Sequence, residues 1–367
     1  MVVRPRHAIS FALAISIMFS SFYLFSRDIN FSNIPDQSEE GLWSCKHKLN
    51  TGINSFSSKD PAHVVFIGHY SPGKHKTFFS SIRTALKSLL WNRRVPLHIH
   101  LVGNEFTHPE KWASVLNKCK YQDVKVFAHK LPDVGLHKHF NKLLLQQTLS
   151  RANVDKVIQL DFDIIVLDDI GKLWSKFDEF KAQEFIGIAP EFNAMYDESS
   201  QHIYHNKENC IHGIESKGHT GFNTGVVLFD IKKMNDWNWS SKLESVQKDT
   251  NKCHLPMSDQ DVINELLYRH RSDGIVKLIP NEWNTQLFCF MDYDLNCKNY
   301  STPNSPSILH WNGEIKDTGY LIDIIKEYER LDPSFVDTPY SNYRTITEGL
   351  LKLRSDFIGH KNIKHNV

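Results

Sequence analysis

Two aspartates that directly follow an apolar run are the first residues whose types and spacing could support chemistry. In VIQLDFDIIVLDD, residues 157–169, the first four residues predict a buried strand, and Asp161 and Asp163 come at its end. Ligands of parallel sheets bind beyond the carboxyl ends of the strands. Two carboxylates at i and i+2 can there bind one Mg²⁺ or Mn²⁺ ion, which would neutralise a departing diphosphate. The same spacing also occurs in solvated turns, so the pair alone leaves both interpretations open.

Alternating strand and helix patterns surround this aspartate pair. The predicted elements are strand 63–70, helix 76–92, strand 97–104, strand 124–128, helix 139–150 and strand 157–160. This order predicts an α/β fold in which right-handed crossovers connect a parallel, Rossmann-like nucleotide-binding sheet. Asp168 and Asp169 are expected to lead into and cap a helix near 171–177. The sequence has neither GxGxxG nor GxxxxGK[ST], which disfavours a dehydrogenase or a P-loop enzyme.

Composition limits the class of protein. The chain has 367 residues, of which 41% are hydrophobic and 23% charged, so it can bury a substantial core as one large domain or two joined halves. Because 43 Lys and Arg stand against 42 Asp and Glu, for a net charge of +1, nucleic acid is not expected as a partner.

The N-terminus predicts a single membrane anchor. Residues 8–26 carry no charge and are long enough to cross a hydrocarbon layer of ~30 Å. Arg4 and Arg6 precede this segment, so the positive-inside rule keeps residues 1–7 in the cytosol and sends the rest of the chain into the lumen of the endoplasmic reticulum or Golgi apparatus. A cleaved signal peptide is the alternative, although SSFYLFSRD offers no good small-x-small cleavage site.

Three further features accompany this lumenal interpretation. Residues 27–60 are polar and predict a stem, followed by a catalytic domain at 61–345 and a C-terminal tail at 346–367. Asn30, Asn238 and Asn299 begin N-glycosylation sequons, although such triplets also arise by chance. The six cysteines include no CxxC pair and favour disulfides in an oxidising lumen; buried free thiols stay an alternative for some of them.

Four separated motifs carry a resemblance to a known family. They are Asp161-Phe162-Asp163, Gly221-Phe222-Asn223-Thr224-Gly225, Ser258-Asp259-Gln260-Asp261 and His310-Trp311-Asn312-Gly313-Glu314-Ile315-Lys316. In this order they match the DxD, FN[ST]G, DQD and HxxGxxK patterns of glycosyltransferase family 8. The chain resembles these retaining, UDP-sugar-dependent enzymes of the GT-A fold from about residue 62 to 330. The resemblance implies a nucleotide-binding half that is continuous with an acceptor-binding half.

The resemblance also implies roles for individual residues. Asp161, Asp163 and His310 would hold Mn²⁺, or Mg²⁺, against the diphosphate of the donor. The residues that would bind the UDP-sugar are Gly68, Tyr70, Lys142, Asp161, Phe162, Asp163, Glu191, Asn223, Thr224, Gly313 and Lys316. The residues expected at the reacting sugar are Asn223, Asp259 and Gln260. An amide is a poor nucleophile, which favours a front-face mechanism over a double displacement through Gln260.

Each of these residues also has a plain structural interpretation. Residues 223–225 could form a turn before the strand VVLF, His310 could be a core histidine, and Asp259 could cap the helix VINELLYRH. The His137-Lys138-His139 triplet is expected to be solvated. Tryptophan side chains can either pack in the core or stack on an acceptor sugar. Trp283 is expected to pack, and for Trp237 and Trp239 both roles remain open.

Within the family, the chain looks most like the animal xylosyltransferase branch, on segments such as GFNTGVVLFDIKKM and EWNTQLFC. This likeness implies transfer of xylose from UDP-xylose to a glycan acceptor on a glycoprotein of the secretory pathway. The alternatives are UDP-glucose, UDP-galactose or UDP-glucuronate as the donor, or an inactive, membrane-tethered sugar-binding relative. The segment 201–219 departs from most of the family and is expected to influence the choice of acceptor.

Overall fold

The computed structural model describes residues 60–68, 78–103, 108–119, 121–131, 141–192, 221–250, 255, 259–287, 289 and 305–311. All of them belong to one compact unit, Cys45–Val367. In this part of the chain, no helix is both long enough and apolar enough to cross a bilayer. The predictions that lie outside the described residues concern the segments 1–7, 8–26, 27–59, 201–219 and 346–367, the triplet 137–139 and the residues Asn30, Tyr70, Asn299, Gly313 and Lys316.

Ten strands and seven α-helices follow one another in the described residues. The strands are Ala62–Gly68 (β1), Leu97–Gly103 (β2), Val124–Lys130 (β3), Lys156–Leu160 (β4), Ile164–Val166 (β5), Ile186–Pro190 (β6), Phe222–Asp230 (β7), Val276–Leu278 (β8), Thr285–Gln286 (β9) and Ile308–His310 (β10). The helices are Phe78–Asn92 (α1), Pro109–Lys118 (α2), Leu145–Arg151 (α3), Ile170–Trp174 (α4), Ile231–Asp236 (α5), Trp239–Thr250 (α6) and Asp259–Arg269 (α7). Short 3₁₀ segments are Asn141–Leu144, Ser175–Glu179, Arg271–Asp273 and Asn281–Asn284.

The main sheet has seven strands in the order β3-β2-β1-β4-β7-β6-β8. The first four are mutually parallel, as the sequence predicts. The sheet as a whole is mixed, however, because β7 runs antiparallel to both β4 and β6. The amino end of β7 therefore lies beside the carboxyl ends of β4 and β6, where ligands of open α/β sheets bind.

A second, three-stranded sheet has the order β5-β10-β9. Its central strand β10 places His310 opposite Ile164, the residue that follows Asp163. Helix α1 supports β5 on its other side, because the Ser88 hydroxyl accepts from Val166 N (3.0 Å) and Asn92 Nδ2 donates to Val166 O (2.8 Å). These bonds explain why two polar residues are buried on α1.

Apolar side chains of α1 and the strands form the core as predicted. Ile82, Leu86, Leu89 and Leu90 are at most 2% exposed, so they form the apolar face of α1. All nine residues of β7 are buried. The predicted helix at 139–150 begins, in its described part, as the 3₁₀ turn Asn141–Leu144 and continues as α3.

The two cysteines in the described residues, Cys119 and Cys289, are both disulfide-bonded. The disulfide expectation is therefore confirmed for these two. The other four cysteines, Cys45, Cys210, Cys253 and Cys297, lie outside the described residues.

Candidate active site

The Asp-x-Asp segment forms the connection between the two sheets. Asp161 follows β4, and its backbone N–H donates to Gly225 O (2.9 Å); Asp163 precedes β5, and its carbonyl accepts from Trp311 N (3.0 Å). These bonds tie the segment to β7 and to the end of β10. Asp168 and Asp169 lie apart from it, as predicted: Asp169 caps α4 by accepting from Gly171 N, and Asp168 pairs with Lys172.

Asp161, Asp163 and His310 form a group that could hold a metal ion. One ligand atom from each lies within 4.8 Å of the other two, and His310 Nε2 is 3.5 Å from the Asp163 carboxylate. Within the described residues this is the one such group of three or more. Two carboxylate oxygens and an imidazole nitrogen suit Mn²⁺ or Mg²⁺, so the residues present fit a divalent cation.

The absence of a side chain at Gly225 leaves room for the imidazole of His310. A Cβ at this position would overlap the His310 ring. Residues 223–225 lie inside β7 rather than in a turn before it, and the pairing of β7 with β6 shifts register between Ile188 and Ala189. Residues 224–226 lie between the two registers, in the manner of a β-bulge. The glycine of the FNTG segment thus has a direct steric purpose.

Lys142 is the cation of the site. Its Nζ lies 2.9 Å from the Asp161 carboxylate and 3.9 Å from that of Asp259, and it donates to the carbonyl and hydroxyl oxygens of Thr224, both at 3.3 Å. Burial alone would favour the neutral amine, but the carboxylates outweigh it and raise the pKa of Lys142 above its ordinary value. The side chain is therefore a protonated ammonium that faces acidic groups.

Asp259 has a raised pKa at the start of α7. Burial is the largest cause and raises the pKa of this carboxyl to about 6, although Lys142 opposes the change. One of its oxygens accepts from Gln260 N (3.0 Å). Asp259 therefore binds backbone at the helix start, as the structural interpretation expects, and also borders the site through Lys142.

Glu191, Asn223, Thr224 and Gln260 form a buried polar cluster beside Lys142. The Glu191 carboxylate is 3% exposed and accepts from Asn223 Nδ2 (2.7 Å) and Gln260 Nε2 (3.0 Å). The amide oxygen of Gln260 accepts from the backbone N–H (3.0 Å) and hydroxyl (3.3 Å) of Thr224. Two motifs that are far apart in sequence, together with Glu191, are thus held by hydrogen bonds with defined directions.

Gly68 ends β1 next to Phe162, the middle residue of the Asp-x-Asp segment. A Cβ on Gly68 would overlap the Phe162 ring, which stacks on Phe66 at 5.5 Å between ring centroids. Gly68 therefore lies at the same edge of the sheet as the acidic group, and its missing side chain leaves room for Phe162.

The other predicted residues have clear environments. Trp239 and Trp283 are buried and pack in the core. Trp237 lies under the Lys242 ammonium, 4.1 Å from the ring centroid, and donates to Asp273, so its ring packs locally. Asn238 is exposed between α5 and α6, which leaves its sequon accessible.

Sequence reasoning missed two residues that support the site. Gln159 lies inside β4 and donates from Nε2 to Asp161 (3.0 Å). Asn284, in the 3₁₀ turn Asn281–Asn284, bridges Asn223 and His310. A polar side chain in the middle of the run VIQL was a usable signal for Gln159, since buried amides require partners. The sequence around Asn284 carries no comparable signal.

The mixed α/β sheet and the Asp-Asp-His group at its edge define the class of the protein, a glycosyltransferase with a GT-A-like fold. The model of glycosyl transferase family 8 matches residues 75–317, and the chain belongs to this family. Among curated proteins it is similar to human xylosyl- and glucuronyltransferase LARGE1, at 27% identity over 247 residues, which is 64% of this chain and 31% of that protein. It is likewise similar to human LARGE2, at 28% identity over 267 residues, covering 69% and 34%. The chain thus spans about a third of the length of these relatives.

Solved structures share the fold. The apo form of mouse xyloside xylosyltransferase 1 superposes with a TM-score of 0.53 at 21% identity, covering 69% of this chain and 98% of that one. The galactosyltransferase LgtC in complex with donor and acceptor sugar analogs superposes with a TM-score of 0.52 at 17% identity, covering 77% and 99%. At these identities the likeness concerns the fold.

Proposed function

We propose that this chain transfers xylose from UDP-xylose, with retention of configuration, to a glycan acceptor on a glycoprotein of the secretory pathway. The observation that carries the proposal is the Asp161-Asp163-His310 group with Lys142 beside it. Xylosyl transfer is supported by the similarity to the xylosyl- and glucuronyltransferases LARGE1 and LARGE2 and to xyloside xylosyltransferase 1.

The charges of the site suit the departure of a nucleoside diphosphate. A divalent cation held by Asp161, Asp163 and His310 would supply the charge that neutralises the diphosphate. Lys142 adds a fixed ammonium at the same edge, and by family resemblance Gly313 and Lys316 contact the phosphates. Asn223 and Asp259 are the polar groups available to orient hydroxyls of the donor sugar.

The polar cluster favours a front-face mechanism. A double displacement needs a free carboxylate on the far side of the anomeric carbon. Glu191 is an acid that contacts the Gln260 side chain, but it is buried and accepts hydrogen bonds from two amides. A carboxylate stabilised in this way is a weak nucleophile. The departing phosphate would instead help to deprotonate the acceptor hydroxyl, and Gln260 would stabilise positive charge on the sugar.

Membrane attachment and glycosylation complete the proposal. The uncharged segment 8–26 behind Arg4 and Arg6 supports a type II anchor in the Golgi apparatus or endoplasmic reticulum, with the catalytic domain in the lumen. N-glycans at Asn30, Asn238 and Asn299 would follow from that location.

A donor screen tests the proposed reaction. The full chain, purified in detergent, is incubated with UDP-xylose, UDP-glucose, UDP-galactose or UDP-glucuronate, with and without Mn²⁺, and release of UDP is measured. We expect Mn²⁺-dependent release that is fastest from UDP-xylose. Asp163→Ala should abolish it, whereas Asp168→Ala, in the same segment, should retain it.

The outcomes separate the parts of the proposal. Faster release of UDP from another donor would refute UDP-xylose as the preferred donor but would still support sugar transfer. If no donor releases UDP, and Asp163→Ala leaves nucleotide binding unchanged, sugar transfer at this site is refuted.

A further inference from the structure

Asn284 is a buried residue that connects two parts of the site. Its side chain is 0% exposed, and its two polar atoms face Asn223 and His310. Its Nδ2 lies 2.9 Å from Asn223 Oδ1, and its Oδ1 lies 3.0 Å from His310 Nδ1. Any effect of Asn284 on the reaction must therefore pass through these two neighbours.

The directions of these hydrogen bonds follow from one fixed donor. The backbone N–H of Gly225 can only donate, and it lies 2.9 Å from Asn223 Oδ1, while Asn223 Nδ2 points at the Glu191 carboxylate. This fixes the orientation of the Asn223 amide. Asn284 must then present its NH₂ group to Asn223 Oδ1, because two facing oxygens would repel each other.

The same reasoning determines the tautomer of His310. With the Asn284 NH₂ group turned toward Asn223, the Asn284 oxygen faces His310 Nδ1. An oxygen acceptor requires a proton on that nitrogen, so a neutral imidazole has its lone pair on Nε2. Nε2 is the atom that lies 3.5 Å from Asp163. The lone pair therefore points toward the acidic group, as a metal ligand must.

The imidazole is also fixed in position by packing. The absent side chain of Gly225 accommodates one face of the ring, and His310 is 4% exposed. On either side of β10, His310 pairs with Gln286 of β9 and Ile164 of β5. Gly225 thus contributes twice, through the space it leaves and through the N–H that starts the chain of hydrogen bonds.

We propose that Asn284 is a positioning residue that keeps His310 in its Nδ1–H tautomer with Nε2 free to bind a divalent cation. The inference rests on the metal site of the proposed function and adds a residue that contacts neither metal nor sugar. Partners that hold the second nitrogen of a metal-binding histidine typically change metal affinity about 10- to 100-fold when they are removed.

Mn²⁺ binding by Asn284 variants tests this role without any turnover. The free ion is measured by electron paramagnetic resonance while the full chain is titrated with MnCl₂ in the presence of UDP. Asn284→Leu should weaken binding about 10- to 100-fold. Asn284→Asp keeps an oxygen for the Nδ1 proton and should bind Mn²⁺ more tightly than Asn284→Leu. Asn92→Leu also removes a buried amide, but one that donates to Ser88 O and Val166 O on α1 and β5, and should retain wild-type affinity.

A second measurement reads the tautomer directly. Long-range ¹H–¹⁵N spectra of the metal-free protein, with His310→Gln for assignment, should show an Nδ1–H tautomer for His310 that Asn284→Leu alters. An Nε2–H tautomer in the wild type, equal Mn²⁺ affinity in the wild type and Asn284→Leu, or no Mn²⁺ binding by the wild type would each overturn the inference. If instead Mn²⁺ binds as expected and no UDP-sugar is used, the proposed reaction fails and the role of Asn284 stands.

Discussion

At the scale of single residues, the charge balance of the site depends on Lys142. Its ammonium contacts Asp161 and lies near Asp259, and the three side chains are between 14% and 20% exposed. Two partly buried carboxylates therefore share one cation. Gln159 adds a neutral hydrogen bond to Asp161 but no charge. Without Lys142, the two acids would repel each other, and no other cation of the described residues is paired with them.

We expect Lys142→Met to lower the free energy of unfolding by about 3 kcal/mol in metal-free buffer, because removing one partner of a buried ion pair leaves the other charge uncompensated. Urea unfolding in EDTA measures this change. Lys172→Met is the matched control, since Lys172 pairs with Asp168 at an exposed position and should contribute less than ~1 kcal/mol. Equal losses in the two variants would contradict a special role for Lys142.

The candidate metal ligands could be predicted from the sequence because each belongs to a short motif whose residue types suit metal binding. Their supporting partners could not. The role of Asn284 depends on the orientation of the Asn223 amide and on the position of the His310 proton. Neither can be read from the sequence around Asn284. Glu191 matched the family only loosely in sequence, whereas the structure brings it within 3.0 Å of two motif amides.

At the scale of elements, strands β1 to β3 carry a row of histidines across the sheet. His63 Nδ1 lies 3.0 Å from His100 Nε2, and His100 Nδ1 lies 3.0 Å from His129 Nε2. Burial, reinforced by the neighbouring histidines, lowers the pKa of His63 to about 4 and that of His100 to about 3. Asp155 opposes the change at His63. His63 and His100 are therefore neutral in the folded protein well below pH 6.

This row makes stability depend on pH. A histidine whose pKa is lower in the folded than in the unfolded chain stabilises the fold above the unfolded value of 6.5 and loses that contribution as the pH falls. For His100, lowering the pH from 7.5 to 5 should reduce the free energy of unfolding by about 2 kcal/mol. His100→Gln and His100→Leu should both flatten urea-derived stability over this range. If they shift it equally at both pH values, hydrogen bonding rather than titration is responsible.

The pattern of elements could be predicted where local periodicity carries the information. Strands β1, β2, β3 and β4 and helix α1 agree with the predicted segments because buried runs and a 3.6-residue period are local signals. The direction of β7 could not be predicted, since the apolar pattern of a buried strand is the same for a parallel and an antiparallel strand. The structural interpretation of residues 223–225 from sequence was a turn before the strand VVLF, whereas in the structure these residues belong to β7.

At the scale of the whole molecule, the site exists only in the folded chain. Lys142 lies in the 3₁₀ turn Asn141–Leu144, and Asp161 directly follows β4. Gln260 lies in the first turn of α7, and His310 ends β10. The order of the motifs could be read from the sequence because a family shares it. Their meeting at one edge follows from β7 entering the sheet antiparallel and from the small sheet that places His310 beside Ile164.

Because Asp163 and His310 are about 150 residues apart in sequence, the unfolded chain offers no equivalent metal site, and a bound ion must stabilise the whole fold. At Mn²⁺ and UDP concentrations about 100 times their dissociation constants, the expected gain is about 2.7 kcal/mol for each ligand in urea unfolding. EDTA should reverse the Mn²⁺ part. Asp163→Ala should lose that part, and Asp168→Ala, whose carboxylate pairs with Lys172, should retain it. Equal stabilisation of both variants by Mn²⁺ would place the ion elsewhere on the molecule.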